Sequence, residues 1–219
     1  MSPGNQFIAG PVGRLDALYR PAETTTPPKG PAVAVICHPH PAHGGTMHNK
    51  VVYHIARGLM AAGLPTLRFN YRGVGLSEGA YDDGIGEQDD IHAAIDWAEA
   101  QHPGEKILVA GFSFGARFGL AVGLQRPSVT RLVGVGLAVR LLEGESLVGG
   151  DKPALFIHGD RDEFGPDSDV ESLIAGWNAP AELRVFTGCG HFFDGRLAAV
   201  QATVESRALA DSLSGVHRQ

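Results

Sequence analysis

Residues 107–124, ILVAGFSFGARFGLAVGL, decide the fold. Residues 107–110 form an apolar run of the kind a buried strand carries. The run breaks at Gly111-Phe112-Ser113-Phe114-Gly115, and a stretch rich in small residues follows, read as a helix. A strand, a glycine-flanked serine and a helix in that order predict a sharp strand-to-helix turn with the serine at its apex. Such a turn strains the serine backbone, and the residues two before and two after it must lack side chains that would collide. Gly111 and Gly115 fill those places. Ser113 is therefore expected at the mouth of a sheet, with its own N–H and that of Phe114 near a helix start. Gly115, Gly119 and Gly123 also share one helix face. Each interior glycine costs a helix about 1 kcal/mol against alanine, so three on one face predict very close packing against the sheet or a neighbouring helix.

Outward from this stretch the same alternation recurs. Residues 6–9 and 15–19 read as a hairpin around Gly10-Pro11-Val12-Gly13. Residues 32–37 are a continuous apolar run, typical of a strand covered on both faces. The chain then breaks at His38-Pro39-His40-Pro41. A helix is expected over 47–62, with Val51, Val52, Ile55, Leu59 and Met60 as its buried stripe. Residues 65–71 are the next strand, ending in a glycine-rich loop. Glu87, Asp89 and Asp90 load the first turn of the following helix with charge that suits its dipole. Beyond the central unit come strands at 131–137, 154–158 and 183–186, the last read as the final strand. Helices are expected at 170–177 and 197–213. Strands alternating with helices predict an α/β class with a mostly parallel sheet and helices on both faces. With no internal repeat and no linker, residues 1–219 are expected to form one domain.

Composition excludes several functions. The chain of 219 residues has 18 basic and 24 acidic side chains, a net charge of −6, and no run of Lys/Arg, so no nucleic-acid partner is expected. The start, MSPGNQFIAG, has no signal pattern, and no apolar run reaches membrane-spanning length. Cys37 and Cys189 make no disulfide framework. A cytoplasmic protein without a membrane partner is the expectation.

In parallel sheets, sites form beyond the carboxyl ends of the strands. The residues that fall there include His38, His40, Arg72, Ser113, Arg140, Asp160, Asp162, Cys189 and His191. A serine hydroxyl needs a base within hydrogen-bond reach and an acid that orients the base. His191, in Gly190-His191-Phe192-Phe193, is the base candidate. Asp162, in His158-Gly159-Asp160-Arg161-Asp162, is the acid candidate; its rival Asp160 would instead hold the loop by hydrogen bonding to its own backbone. The chain order Ser, Asp, His is that of α/β hydrolases, not that of the chymotrypsin or subtilisin proteases.

On GFSFG, HGDRDEF and GCGHFFDG, in this order and context, the chain resembles the α/β-hydrolase superfamily over nearly its whole length. It looks closest to small, lid-poor bacterial hydrolases related to the dienelactone hydrolases. Those carry a P-H-P-x-x-G-G-x-M-x-N-K-V stretch, matched by residues 39–51, and an N-Y-R-G-x-G-x-S-x-G stretch, matched by residues 70–79. Dienelactone hydrolases proper use a cysteine nucleophile, and here the position is Ser113. The resemblance implies an oxyanion hole made of two backbone N–H groups, one from Phe114 and one from the loop after residue 37. Pro39 and Pro41 have no N–H to give, which leaves His40. It implies a serine hydrolase, expected to be a carboxylesterase for small or medium acyl esters. A peptidase or thioesterase of the same fold, or a non-catalytic binding protein, are the alternatives. The expected partner is a small-molecule acyl substrate.

Three other readings are weaker. His38, His40 and His43 are spaced too loosely for a metal, with no carboxylate nearby, so no metal and no cofactor are expected. Gly73, Gly75 and Gly79 do not match the dinucleotide spacing. Residues 139–151 are too few for a helical cap, so the pocket is expected to be open, or closed only by Leu141 and Leu142, with Arg140, Leu141 and Phe192 bordering it. Arg140 would meet an anionic group of the substrate or face solvent.

Overall fold

The structure, a computed structural model, describes residues 4–24, 30–139, 147 and 149–219. In chain order its strands are β1 (Gly4–Gly10), β2 (Gly13–Arg20), β3 (Val33–Cys37), β4 (Thr66–Phe69), β5 (Ile107–Phe112), β6 (Val129–Val135), β7 (Ala154–Gly159), β8 (Ala181–Phe186) and β9 (Gly215–Arg218). The helices are α1 (Lys50–Ala61), α2 (Ile85–Gln101), α3 (Phe114–Gln125), α4 (Asp167–Ala175) and α5 (Leu197–Arg207). The strands form one open sheet in the order β1-β2-β4-β3-β5-β6-β7-β8-β9. Among the described residues only β1–β2 and β2–β4 pair antiparallel; from β4 to β9 every pair is parallel.

Alternation along β5 explains the layers. Val109 packs with α2, α3 and α4 on one face of the sheet, and Leu108 and Ala110 pack with α1 and α5 on the other. Cys37 and Cys189 lie in these opposite clusters, and both are free thiols. The glycine face of α3 packs as its spacing predicts. A Cβ on Gly115 would overlap the Cys37 carbonyl, one on Gly119 would stand 3.1 Å from Cys37 Sγ, and one on Gly123 2.7 Å from Leu132 Cδ2.

Several boundaries move, each for a local reason. Helix α1 starts at Lys50 instead of 47, because Asn49 Oδ1 caps the Val51 N–H at 2.8 Å and Met47 is buried, its N–H bonded to Asn70 Oδ1. At the start of α2 the carboxylates form specific bonds where a dipole effect was expected. Glu87 accepts the N–H groups of Gly84 and Asp82, and buried Asp90 binds Arg72. Residues 197–213 are not one helix, since α5 ends at Arg207. The Arg207 guanidinium bonds Glu182 and the Ser212 carbonyl as the chain turns. The final strand is then β9, not β8. This exposed four-residue edge shows no apolar alternation that a sequence reading would detect.

Candidate active site

The turn after β5 has the strain its glycines predicted. Ser113 sits at φ 56, ψ −119, a region costing a non-glycine residue about 1–3 kcal/mol. A Cβ on Gly111 would overlap the backbone of Gly115 and Ala116, so only glycine lets the chain reverse there. Ser113 N–H donates to the Val135 carbonyl at 3.0 Å, anchoring the apex to β6.

Two loops, after β7 and β8, bring the other candidates to this serine. Asp160 Oδ1 accepts from the N–H groups of Gly188 (2.7 Å) and Cys189 (3.2 Å), and Arg161 N–H donates to the Cys189 carbonyl. The rival carboxylate therefore holds backbone, but that of the neighbouring loop and not its own as expected. With the loops joined, His191 Nδ1 lies 2.7 Å from Asp162 Oδ2, and His191 Nε2 lies 2.9 Å from Ser113 Oγ. The carboxylate accepts, so Nδ1 carries the proton and Nε2 accepts from the serine hydroxyl. Asp162 Oδ1 takes the Phe164 N–H at 2.8 Å, and Glu163 Oε2 takes the His191 N–H at 3.3 Å. His191 and Asp162 are buried, and Ser113 is half-buried.

The loop after β3 closes the other side. His38 is fully buried, its Nδ1 2.6 Å from the Pro39 carbonyl oxygen and its Nε2 accepting from the Tyr71 N–H at 3.2 Å. Burial lowers its pKa to about 3 against the pull of the Pro39 bond, so the ring is neutral at any working pH. A Cβ on Gly45 would overlap that same carbonyl. His40 follows at the head of a short 3-10 turn (Pro41–His43), its Nδ1 accepting from the Ala42 N–H and its Nε2 3.3 Å from the Tyr81 hydroxyl. Burial and the neighbouring His43 lower the His40 pKa, and Asp83 opposes them. Further back, Asn70 and Ser77 tie the next loop to β2 through Asp16, and the Arg72–Asp90 ion pair ties it to α2. The residues 70–79 matched to a family motif are thus scaffold.

His40, Ser113, Phe114, His191 and Phe192 line one cavity of about 610 Å³. Arg140, Leu141 and Leu142 lie outside the described residues. The sequence reading did not single out Phe164 or Tyr81, which also line the cavity. It also passed over Gly136, at φ 55, where a Cβ would stand 2.9 Å from Phe112 and 3.4 Å from the His191 ring. His38 had one signal, its place at the end of β3; the other three carry none without the fold. Of the loosely spaced histidines, His38 is committed to backbone bonds, and among the described residues no group of three or more His, Cys, Asp or Glu gathers as metal ligands. Among the described residues no helix is long and apolar enough to cross a membrane.

In sequence and in fold the chain is similar to known proteins. Residues 38–148 match the family model described as serine aminopeptidase, S33. An α/β serine hydrolase homologue from Coxiella burnetii is 38% identical, with a TM-score of 0.86 over 94% of this chain and 97% of that one. An α/β serine hydrolase without a lid from Xanthomonas campestris is 32% identical, with a TM-score of 0.85 over 94% of this chain and 93% of that one. An uncharacterised protein from Rickettsia prowazekii is 33% identical over 196 residues, 85% of this chain and 81% of its own length.

Proposed function

The chain belongs to the serine aminopeptidase S33 family within the α/β hydrolases, and on that premise we propose that it is a single-domain carboxylesterase that acts through an acyl-enzyme on Ser113. The observation that carries this reading is the continuous chain of short contacts from Ser113 Oγ through His191 to Asp162. Each link performs one task. His191 Nε2 takes the serine proton as Oγ attacks the ester carbon. Asp162 holds the ring in the tautomer that accepts at Nε2 and stabilises the imidazolium that forms.

The oxyanion of the tetrahedral intermediate lies between the N–H groups of His40 and Phe114. Phe114 is the first residue of α3, where helix N–H groups have no partner within the helix. Such donors act on charge that develops only in the transition state, so they lower the barrier without tightening substrate binding. His191 then gives its proton to the leaving oxygen and the C–O bond breaks. Water repeats the sequence to free the acid.

A fluorophosphonate probe on wild type and Ser113→Ala tests the reading. Labelling of the first and not the second is expected; an unlabelled, folded wild type would favour a binding protein. A panel of p-nitrophenyl esters of increasing chain length then reports pocket depth. One feature favours a peptidase as second reading: Asp83 lines the cavity and offers a carboxylate to a substrate ammonium group. Aminoacyl anilides in the same panel separate the two.

A further inference from the structure

Two large aromatic rings stand half in solvent beside His191. Phe164 is 40% exposed and Phe192 is 43% exposed. Their ring centroids lie 4.6 Å and 5.2 Å from that of His191, and both meet it edge to face. Both line the cavity that holds Ser113. Apolar rings left in water forgo the stabilisation burial would give them, and rings that rim a cleft mark a surface that something covers.

Neither ring is loosely held. The Phe164 N–H donates to Asp162 Oδ1, and His158 Nε2 donates to the next carbonyl, Gly165, at 2.9 Å. The turn that carries Phe164 is thus tied to the acid of the site. Phe192 packs edge-on against Phe112 at 6.1 Å, and Lys50 Nζ lies 5.8 Å from its ring centroid while paired with Asp194. The two rings form preorganised walls.

The reaction assigns a direction to them. The proton that leaves Ser113 Oγ resides on His191 Nε2 and passes to the leaving oxygen as the acyl C–O bond breaks. That oxygen must come within hydrogen-bond reach of Nε2. The carbonyl oxygen points the other way, toward the His40 and Phe114 N–H groups. Groups packed on the His191 ring therefore flank the leaving alcohol and not the acyl chain. We infer that Phe164 and Phe192 form a leaving-group subsite that takes esters of arylalkyl alcohols, with the aromatic ring of the alcohol seated between them. The inference rests on the serine-hydrolase reading above.

A role limited to shielding His191 from water would slow every ester alike, so substrates separate the two. The ethyl and 2-phenylethyl esters of butanoic acid share an acyl group, and their alcohols differ little in acidity. The wild type is expected to show a kcat/KM about tenfold higher for the 2-phenylethyl ester, the scale of one buried aromatic contact. In Phe164→Ala and in Phe192→Ala the ratio should fall toward one, and furthest in the double variant, with circular dichroism confirming that each folds. A wild-type ratio near one, or an equal fall for both esters in the variants, would overturn the subsite and leave the hydrolase reading standing. A wild type that hydrolyses neither ester but is labelled at Ser113 by a fluorophosphonate would overturn the subsite alone, and one that is also unlabelled would overturn both.

Discussion

His38 Nδ1 stands 2.6 Å from the carbonyl oxygen of Pro39, and that contact aims the N–H of His40. A carbonyl and the next N–H belong to one planar trans peptide and point in opposite directions. Pulling the Pro39 oxygen toward the buried imidazole therefore turns the His40 N–H the other way, and a hydrogen bond at one end of a peptide polarises the other. Gly45 makes the room, since a Cβ there would overlap the same oxygen.

His38→Ala and Gly45→Ala attack this peptide from its two sides. Each should lower kcat by up to about 10²–10³-fold, the cost of losing one oxyanion donor, with a much smaller change in KM. Steady-state kinetics on a p-nitrophenyl ester checks this. A rise in KM at constant kcat would show that the peptide serves substrate binding instead.

His38 also predicts how stability follows pH. Its pKa is about 3 in the folded protein, below the ordinary histidine value it has when unfolded. From about pH 6.5 down to about pH 3 the unfolded chain therefore binds one more proton at this site than the native one. This site's contribution is complete at neutral pH and is lost as pH falls, by about 1.4 kcal/mol per unit at most. Urea unfolding at pH 7.0 and 5.0 should show a larger drop for wild type than for His38→Asn, which has no group to titrate there.

The carboxylates of the β7 loop should separate cleanly. Asp162→Asn places an amide against His191 Nδ1 and favours the wrong tautomer, so kcat should fall by about 10⁴-fold with little change in melting temperature. Asp160→Ala removes the acceptor for the Gly188 and Cys189 N–H groups. It should cost about 1–3 kcal/mol of stability and only a modest part of kcat. Thermal melts beside kinetics test both; the reverse pattern would exchange their roles.

Alanine on the glycine face of α3 should be nearly neutral at one position and damaging one turn away. At Gly119 the new Cβ stands 3.1 Å from Cys37 Sγ, and a helix gain of about 1 kcal/mol roughly offsets the tight contact. At Gly115 it would overlap backbone carbonyls of Cys37 and His38, which cannot yield without moving the loop after β3. Gly115→Ala should lose about 2 kcal/mol or more and most activity, as overpacked sites do. Denaturant midpoints and esterase assays on the pair decide it.

The Arg72–Asp90 pair holds the loop after β4, and both side chains are nearly or fully buried. Asp90→Ala would leave the guanidinium buried with its bidentate partner gone, at a cost of about 3–5 kcal/mol. A joint Arg72→Met, Asp90→Leu change should recover much of that loss, because it removes the uncompensated charge. Urea unfolding of the single and double variants measures the difference.

Much of the molecule was legible in the chain. Strands such as residues 33–37 and 107–112 are apolar at every position because both faces are covered. The serine turn was legible because its glycines are demanded by sterics within five residues. What escaped notice was signalled by contacts distant in sequence. Strand β9 is exposed and finds its place by pairing with β8 and through the ion pairs of Arg218 with Asp167 and Glu171 of α4. Asp90 looked like a dipole partner for its own helix until the fold put Arg72 beside it.

By itself, then, the sequence determined the α/β class, the strained serine and the order of the three residues joined at the site, because these rest on local geometry and on apolar patterning. The tertiary structure alone decided how closely Asp162 meets His191, that His38 is bound to the Pro39 carbonyl, and that Phe164 packs beside Phe192 on the His191 ring. The reason is physical. A hydrogen bond at 2.7 Å depends on where two loops meet, and the loops after β7 and β8 meet only because a parallel sheet places both at one edge, where Asp160 joins them.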